Sequence, residues 1–303
     1  MENTILITGS NGFIGRHVCD FFRQQGYYII GLGRREQSVP KVDQYLKIDL
    51  DTDEISRYIS PKKISAVIHL AADMRKEPNC VDVVRANCTG TQQLLEFCEK
   101  NSIDTFLQLS SLPVVGHPKQ HPIGENHPLC PPTVYHCTKV MEELLADYAM
   151  RKKNIRTASF RISAPVGIGM NENTIFPTFV KKSLKNEDII IWGKGSRQQT
   201  YIHVDDISLG LYCALISNRC KGIYNLSSYN IIANIDLAKK CIERLNSKSK
   251  IVFNNLPDSS DNDIWDVSLS KIFQDTDYRP QISLDYCIDQ LATYFKNEKT
   301  IDS

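Results

Sequence analysis

The chain has 303 residues, of which 42% are hydrophobic and 23% charged, and its formal net charge is +1 at pH 7. The length suffices for one large or two modest domains, and the composition is ordinary for a globular protein. The balanced charge argues against nucleic acid as a partner, and no apolar run approaches the ~20 residues of a membrane span.

Short apolar runs alternate with helical patterns through the first half of the chain. Helices are predicted at 14–26, 51–59, 82–101 and 134–152. Strands are predicted at Thr4–Ile7, Tyr28–Leu32, Gln44–Ile48, Ala66–Leu70, Thr105–Leu109 and Arg156–Ile162. This alternation predicts an α/β fold with a Rossmann-like, doubly wound parallel sheet and helices on both faces.

The pattern changes after residue 165, where a polar and glycine-rich stretch begins. Further helices are predicted at 175–184, 205–217, 234–246 and 283–296, and strands at 189–192, 201–204 and 222–226. We expect residues 1–165 to form the Rossmann-like domain and residues 166–303 mainly a smaller C-terminal α/β lobe. The segment 201–217 is expected to return to the first domain.

Three glycines spaced three residues apart follow the first strand and precede a helical pattern. Strand, glycine loop and helix form the geometry that holds a dinucleotide pyrophosphate, because glycine admits the phosphates and the helix N-terminus offers free N–H groups. The alternative is a plain tight turn. We predict a dinucleotide site in residues 1–165, with contacts from Gly9, Asn11, Gly12, Phe13, Ile14 and Gly15.

Tyr135 and Lys139 stand four residues apart and share one face of a predicted helix. An ammonium beside a phenol lowers the phenol pKa, so Tyr135 is expected to exchange a proton near neutral pH. Tyr-x-x-x-Lys alone also describes many surface helices. Ser111 strengthens the prediction, because it ends a strand 24 residues before Tyr135, where a hydroxyl faces the ligand crevice.

The glycine spacing, Ser111 five residues before Gly116, and Tyr135-x-x-x-Lys139 together resemble the extended short-chain dehydrogenase/reductase family. That family includes NAD(P)-dependent nucleotide-sugar epimerases, dehydratases and reductases. The resemblance implies that Ser111, Tyr135 and Lys139 are catalytic, and that Tyr135 and Lys139 also contact the cofactor. It also implies a homodimer, in which helices 82–101 and 134–152 pair into a four-helix bundle.

Further matches along the chain extend the resemblance to nearly its whole length. They imply additional cofactor contacts from Asp49, Leu50, Leu70, Ala71, Ala72, Asn87 and Pro165. They imply substrate contacts from Ser111, Ala164, Arg197 and Gln199. The segment His203–Asp206 resembles the substrate-lobe signature of the nucleotide-sugar enzymes, so the expected substrate is a nucleotide-activated sugar.

The end of the second strand departs from the family pattern. Gly33 stands where NAD-dependent members usually carry Asp for the ribose 2′-hydroxyl, and Arg34 and Arg35 follow it. A missing carboxylate removes repulsion against a 2′-phosphate, and a guanidinium can bind that phosphate in bidentate fashion. NADP is therefore favoured over NAD. The alternative is that both arginines are solvated and either cofactor binds.

Other departures bear on the reaction. Leu112 and Pro113 replace the Asp-Glu pair of the 4,6-dehydratases, which removes the acid and base for water elimination. Ala164 stands where the 4-epimerases have Asn, and Gln199 where many members have an Arg for the substrate diphosphate. Arg197, two residues earlier, is a candidate replacement.

We therefore favour an NADPH-dependent 4-ketoreductase in which hydride moves at sugar C4 and Tyr135 is the proton donor or acceptor. One alternative is a nucleotide-sugar 4-epimerase with retained NAD. A second is a reductase of a non-sugar ketone or aldehyde, against which His203–Asp206 speaks. A third is a non-catalytic NADP sensor, against which Tyr135 and Lys139 speak.

The cysteines and histidines suggest neither disulfides nor a metal. The ten cysteines are scattered without a Cys-x-x-Cys pair, and the first strand begins too early for a signal peptide. A cytoplasmic protein is therefore expected. A zinc site is conceivable at His117, His121, His127 and Cys130, but their spacing fits no known ligand pattern, so a polar loop without metal is favoured.

Overall fold

A computed structural model describes residues 3–59, 64–75, 80–254 and 256–301. Its strands are β1 Thr4–Thr8, β2 Tyr28–Gly33, β3 Gln44–Lys47, β4 Ile64–His69, β5 Thr105–Ser111, β6 Arg156–Ile162, β7 Ala164–Val166, β8 Ile189–Ile191, β9 Gln198–His203, β10 Gly222–Leu226, β11 Asn230–Ala233 and β12 Ile251–Phe253. Its α-helices are α1 Phe13–Gln24, α2 Cys80–Val84, α3 Gly90–Lys100, α4 Val134–Lys153, α5 Ile175–Lys185, α6 Val204–Ile216, α7 Asn234–Arg244, α8 Ser270–Asp275 and α9 Leu284–Ile301.

The main sheet has seven strands in the order β10-β6-β5-β4-β1-β2-β3. Every neighbouring pair in it is parallel. The predicted Rossmann-like, doubly wound fold is thereby confirmed. The strand order reverses between β1 and β4, and ligands bind at such a switch point beyond the carboxyl ends of the strands.

Each face of the main sheet is covered by helices. Ile5 and Ile7 point to one face, where they share an apolar cluster with Phe22 of α1 and Leu211 of α6. Leu6, between them, belongs to the cluster on the opposite face with residues of α3 and α4. This follows from the two-residue period of a strand, which sends successive side chains to opposite sides.

The second lobe contains two smaller sheets, one in the order β11-β9-β7 and one formed by β12 and β8. Helices α5, α7 and α9 pack together around a separate apolar cluster that includes Phe176, Leu237 and Ile288. This lobe borders the carboxyl ends of the main strands, because β7 follows β6 after a single residue.

The helix predicted at 51–59 is wrong. The structure has only a 3₁₀ turn there, at Ile55–Arg57. The Asp53 carboxylate accepts a hydrogen bond from the Asp49 N–H at 2.7 Å, and the Asp49 carboxylate accepts one from the Asp51 N–H at 3.1 Å. Such local bonds from side chains to the backbone compete with helix formation.

Several of the cysteines and histidines are buried or bound to neighbouring groups. The five cysteines that fall in long helices are buried: Cys19, Cys98, Cys213, Cys241 and Cys287. His117 contacts the Asp263 carboxylate, and His127 accepts a hydrogen bond from the Lys119 N–H. Within the described ranges, no group of three or more His, Cys, Asp or Glu side chains could hold a metal ion. No helix in those same ranges is long and apolar enough to cross a bilayer.

Candidate active site

The sequence-predicted site residues all line one cavity of about 760 Å³ at the carboxyl ends of β1, β2, β4, β5 and β6. This volume is typical of a small-molecule site, at ~300–1,000 Å³. The residues brought together are Gly9, Asn11, Gly12, Phe13, Ile14, Gly15, Arg34, Arg35, Asp49, Leu50, Leu70, Ala71, Ala72, Asn87, Ser111, Tyr135, Lys139, Ala164, Pro165, Arg197 and Gln199. Their individual roles stay predictions.

The glycine loop packs too closely for side chains. Gly9 has a φ of +66°, and a Cβ there would lie 2.7 Å from the backbone nitrogen of Ala71. A Cβ at Gly15 would lie 2.1 Å from the carbonyl oxygen of Gly9. Helix α1 begins directly after the loop, with Gly12 as its N-cap and no side-chain cap. The loop therefore presents open backbone to the cavity, which fits a dinucleotide pyrophosphate.

Replacing Gly15 by Ala is expected to lower the free energy of unfolding by about 1–3 kcal/mol, because the new methyl group would force two backbone segments apart. Chemical denaturation of both proteins measures this change. Affinity for a dinucleotide should fall as well, since the displaced backbone forms the cradle. Unchanged stability together with unchanged binding would contradict this account of the loop.

Behind the loop, Thr8 links the ends of β1 and β4. Its Oγ1 lies 2.7 Å from His69 Nδ1 and accepts hydrogen bonds from the N–H groups of Leu70 and Ala71, both at 3.2 Å. Burial, with a smaller contribution from the Lys139 charge, lowers the pKa of His69 to about 3, so this imidazole is neutral near pH 7. It holds the cavity wall and bears no charge.

Asn87 fixes the segment that follows β4. Its side-chain oxygen accepts from the Asp73 N–H at 2.7 Å, and its Nδ2 donates to the Asp73 carbonyl at 3.0 Å and to Thr138 Oγ1 at 2.9 Å. Asn87 therefore ties this wall to α4. Asp73, which also lines the cavity, was missed by sequence reasoning because no motif contains it.

The Tyr135–Lys139 pair lies at the start of α4, which Thr133 caps through its Oγ1. Lys139 Nζ lies 5.8 Å from the centroid of the Tyr135 ring. The ammonium donates hydrogen bonds to the Leu109 carbonyl at 3.1 Å and to Glu142 Oε2 at 2.9 Å. The helix thus brings the phenol and the ammonium to the cavity, as their spacing predicted.

The net pKa shift of Tyr135 corrects one expectation. Burial raises the pKa of the phenol, the Lys139 charge opposes that shift, and Glu142 adds to it. The ammonium acts in the predicted direction, but burial outweighs it and the net shift is upward. Sequence reasoning missed Glu142, although its position three residues after Lys139 places it on the same helical face.

The neighbouring serines differ in their partners. Ser110 is buried, and its Oγ donates to Glu143 Oε1 at 2.6 Å. Ser111, at the end of β5, is partly exposed and lines the cavity. Ser110 also lines the cavity, but its hydroxyl is engaged by Glu143, and the catalytic role of Ser111 stays a prediction.

The place of the missing carboxylate after β2 is filled by another side chain. A Cβ at Gly33 would lie 2.9 Å from the Tyr45 hydroxyl. That hydroxyl accepts a hydrogen bond from Asn11 Nδ2 at 2.9 Å and donates one to the Arg35 carbonyl at 2.9 Å. Arg34 and Arg35 are exposed at the cavity rim. This end of the cavity therefore presents guanidinium groups at its rim, and the Tyr45 hydroxyl occupies the space that a side chain at residue 33 would need.

The opposite end of the cavity includes Ala164, Arg197 and Gln199. Trp265 also lines it, and its carbonyl accepts a hydrogen bond from Thr200 Oγ1 at 2.6 Å. Trp265 reaches this wall because a bridge between Gln198 and Ile264 brings its segment beside β9. No sequence motif could have indicated this approach.

Comparisons with known proteins agree with this geometry. Residues 5–227 match the sequence profile of the "NAD dependent epimerase/dehydratase family". A Methanocaldococcus jannaschii protein provisionally named a UDP-glucose 4-epimerase is 30% identical over 223 residues, which are 70% of this chain and 73% of that protein. The dTDP-4-dehydro-6-deoxyglucose reductase of Escherichia coli is 26% identical over 310 residues, 96% of each chain.

Solved structures share the fold over nearly the whole chain. The UDP-glucose 4-epimerase of Thermotoga maritima, solved with UDP-glucose, superposes with a TM-score of 0.87 at 21% identity, covering 98% of this chain and 99% of that one. The UDP-glucuronic acid 4-epimerase of Bacillus cereus, solved with UDP-glucuronic acid and NAD, has a TM-score of 0.84 at 22% identity and covers 97% and 99% of the two chains.

Proposed function

Because the chain belongs to the NAD-dependent epimerase/dehydratase family, we propose that it is an NADPH-dependent reductase acting on C4 of a nucleotide-activated 4-keto sugar. The observation that carries the cofactor choice is the end of β2. Tyr45 fills the space of a ribose-binding carboxylate beside Gly33, and Arg34 and Arg35 stand at the rim. A guanidinium can bind a 2′-phosphate through charge-assisted hydrogen bonds. A bare ribose hydroxyl carries no negative charge for it to bind in this way.

The roles proposed for the catalytic residues follow from their places in the cavity. Tyr135 donates its proton to the sugar carbonyl oxygen, and Ser111 holds that oxygen by a hydrogen bond. A bound nicotinamide cofactor supplies the hydride. Lys139 orients the ribose, and the Tyr135 phenolate regains a proton from solvent. The raised pKa of Tyr135 supports a protonated phenol, which is the form that a reductase needs at the start of its reaction.

The remaining contacts are proposed from the same cavity. The cradle around Gly9 and Gly15 fits the pyrophosphate, with the other predicted cofactor residues around it. Ala164, Arg197 and Gln199 are proposed to face the nucleotide sugar. Water elimination is disfavoured, since Leu112 is buried among apolar side chains and Pro113 bears no acid.

A nucleotide-sugar 4-epimerase with retained NAD is the second candidate. It is favoured by the epimerases among the relatives and by the NAD in the Bacillus cereus structure. Native mass spectrometry of the purified protein separates the two candidates. Protein free of nucleotide that binds NADPH and oxidises it with a 4-keto sugar nucleotide supports the reductase. Co-purified NAD, together with interconversion of C4 epimers, would refute the reductase and support the 4-epimerase.

We also propose a division near residue 165, supported by the separate apolar clusters of the main sheet and the second lobe. The packing of α6 against α1 favours assigning the greater part of the 201–217 segment to the first domain, whereas its first three residues belong to β9 of the second lobe.

The proposed homodimer has a candidate surface on α2 and α4. These helices pack together and expose apolar side chains, namely Val81, Val84, Met141, Leu144 and Tyr148. Pairing of this face with a second copy about a two-fold axis would bury it in a four-helix bundle.

We expect a dimer by light scattering at micromolar concentration, and a monomer for Leu144→Asp, because the new charge would be buried in the interface. The matched control is Ile216→Asp, which changes an equally exposed apolar residue at the end of α6. A monomeric wild type would refute this arrangement.

A further inference from the structure

We propose that Glu142 is a positioning residue of the reaction: its carboxylate holds Lys139 in place and offsets the pull of the lysine charge on the Tyr135 proton. The inference deepens the proposed reductase function, because it concerns the proton that Tyr135 would give to the carbonyl. It assigns a task to a residue outside the Ser111, Tyr135 and Lys139 set.

The contact between Glu142 and Lys139 is direct and almost fully buried. Glu142 Oε2 lies 2.9 Å from Lys139 Nζ, and the two side chains are 1% and 4% exposed. The second donor bond of Nζ goes to the Leu109 carbonyl. Two of the three N–H bonds of the ammonium are thus fixed by the protein. The remaining one is available to the cavity that Lys139 lines.

Fold stability does not account for this ion pair. Replacing a buried pair by apolar residues is often neutral or stabilising, because desolvation costs as much as the attraction returns. Glu142 Oε1 is also buried without a hydrogen-bond partner in the described part of the chain. Such unsatisfied atoms are uncommon in native proteins and carry a cost. A carboxylate held here at that cost indicates a task in the adjoining site.

The adjacent carboxylate, Glu143, has a different charge partner from Glu142. Glu143 is equally buried, but both of its oxygens bind Arg161, at 2.8 and 2.7 Å, and one also accepts from Ser110. Its charge is balanced by a guanidinium on β6. The charge of Glu142, in contrast, is balanced by the catalytic lysine itself.

Glu143, paired with Arg161, also acts on Lys139 and Glu142 by its charge. The remaining titratable groups near the pair are neutral around pH 7. Burial lowers the pKa of His136, whose ring lies 5.0 Å from that of Tyr135. His69 on β4 is neutral for the same reason. Burial, and then the charge of Glu142, raises the pKa of the Cys88 thiol on the segment before α3. The charges acting on the Tyr135 phenol are therefore those of Lys139 and Glu142.

The two charges have opposite effects on the phenol. Lys139 alone would stabilise the phenolate, and a neighbouring Glu142 carboxylate offsets that effect. Burial alone would lower the pKa of Lys139, but attraction to Glu142 raises it, and the net shift is upward. Burial raises the pKa of Glu142 more than Lys139 lowers it, so that net shift is upward as well, and the 2.9 Å contact with the ammonium is what favours the ionised carboxylate. We conclude that the ammonium stays charged and that its pull on the phenol proton is partly cancelled.

The test is the Glu142→Gln variant, in which an amide oxygen can still accept from Lys139 while the negative charge is gone. Removing that charge leaves the Tyr135 phenolate as the anionic partner of the Lys139 ammonium, so the pKa of Tyr135 should fall. Reduction requires the protonated phenol, so turnover should begin to fall at a pH about one unit lower than in the wild type, equivalent to a tenfold change in the phenol–phenolate ratio. Glu142→Asp keeps the charge and should return the profile towards that of the wild type.

A second readout does not need the substrate. Ultraviolet absorption of phenolate, taken as the difference between each protein and its own Tyr135→Phe counterpart, follows Tyr135 alone. Its onset should also move down by about one pH unit in Glu142→Gln. Asp147→Asn, which removes an exposed carboxylate from the same helix, should leave the onset unchanged.

These outcomes separate the two proposals. A wild type that reduces no 4-keto sugar would refute the reductase, while the phenolate titration would still test Glu142. An unshifted phenolate onset in Glu142→Gln overturns the inference. So does a turnover loss that is equal at every pH, because that result indicates a structural role only.

Discussion

Tyr135→Phe is expected to lower turnover by about 100-fold or more, because the variant lacks the hydroxyl that we propose as the proton donor. The phenyl ring keeps its packing at the start of α4, so the fold and the affinity for the dinucleotide should change little. Steady-state oxidation of NADPH with a 4-keto sugar nucleotide measures the loss, and circular dichroism verifies the fold.

The matched control is Tyr58→Phe, which removes a hydroxyl from an exposed tyrosine outside the cavity. Its turnover should equal that of the wild type. A Tyr135→Phe enzyme with near-normal turnover would rule out Tyr135 as the proton donor, whatever the sugar.

Cofactor choice should show the second-largest effect. The wild type should bind NADP(H) about ten- to a hundredfold more tightly than NAD(H), since one charge-assisted hydrogen bond to the 2′-phosphate contributes about 1.5–3 kcal/mol. Arg34→Ala should reduce this gap, and so should high salt, because Arg34 is exposed. Calorimetry or fluorescence gives the four dissociation constants required, for NADP(H) and NAD(H) with the wild type and with Arg34→Ala.

Arg57→Ala is the control, because Arg57 is an exposed arginine that lies outside the cavity and pairs with Glu54. It should leave the preference for NADP(H) intact. Equal affinity for both cofactors in the wild type, or NAD retained through purification, would contradict the prediction and favour the 4-epimerase.

The main sheet could be predicted because its signals are local. Strands β6 and β10 have the predicted bounds, and most of their residues are buried, β6 between β5 and β10 and β10 at the end of the sheet. The false helix at 51–59 shows the limit of periodicity: two aspartates bind the backbone there, and that preference is invisible in an apolar pattern.

The residues that line the candidate site could be predicted from the sequence, but the charges and pKa shifts within it could not. Motif spacing brought Gly9, Ser111 and Tyr135 to one cavity from three separate elements. Motifs could not reveal that Tyr45 stands beside Gly33, since that contact depends on the register of β2 against β3. Nor could they reveal the net pKa direction of Tyr135, which depends on how deeply α4 is buried.

The path of the chain through the main sheet also determines when that sheet can be completed during synthesis. Strand β10 pairs with β6 at one end of the sheet, and α6 covers the apolar face of α1, yet both come after β7 to β9 of the second lobe. A fragment ending at residue 165 would leave β6 as a bare edge and Phe22 uncovered by α6. Unpaired edges and exposed apolar faces invite aggregation. The seven-stranded sheet must therefore remain incomplete on the ribosome until Leu226 has emerged.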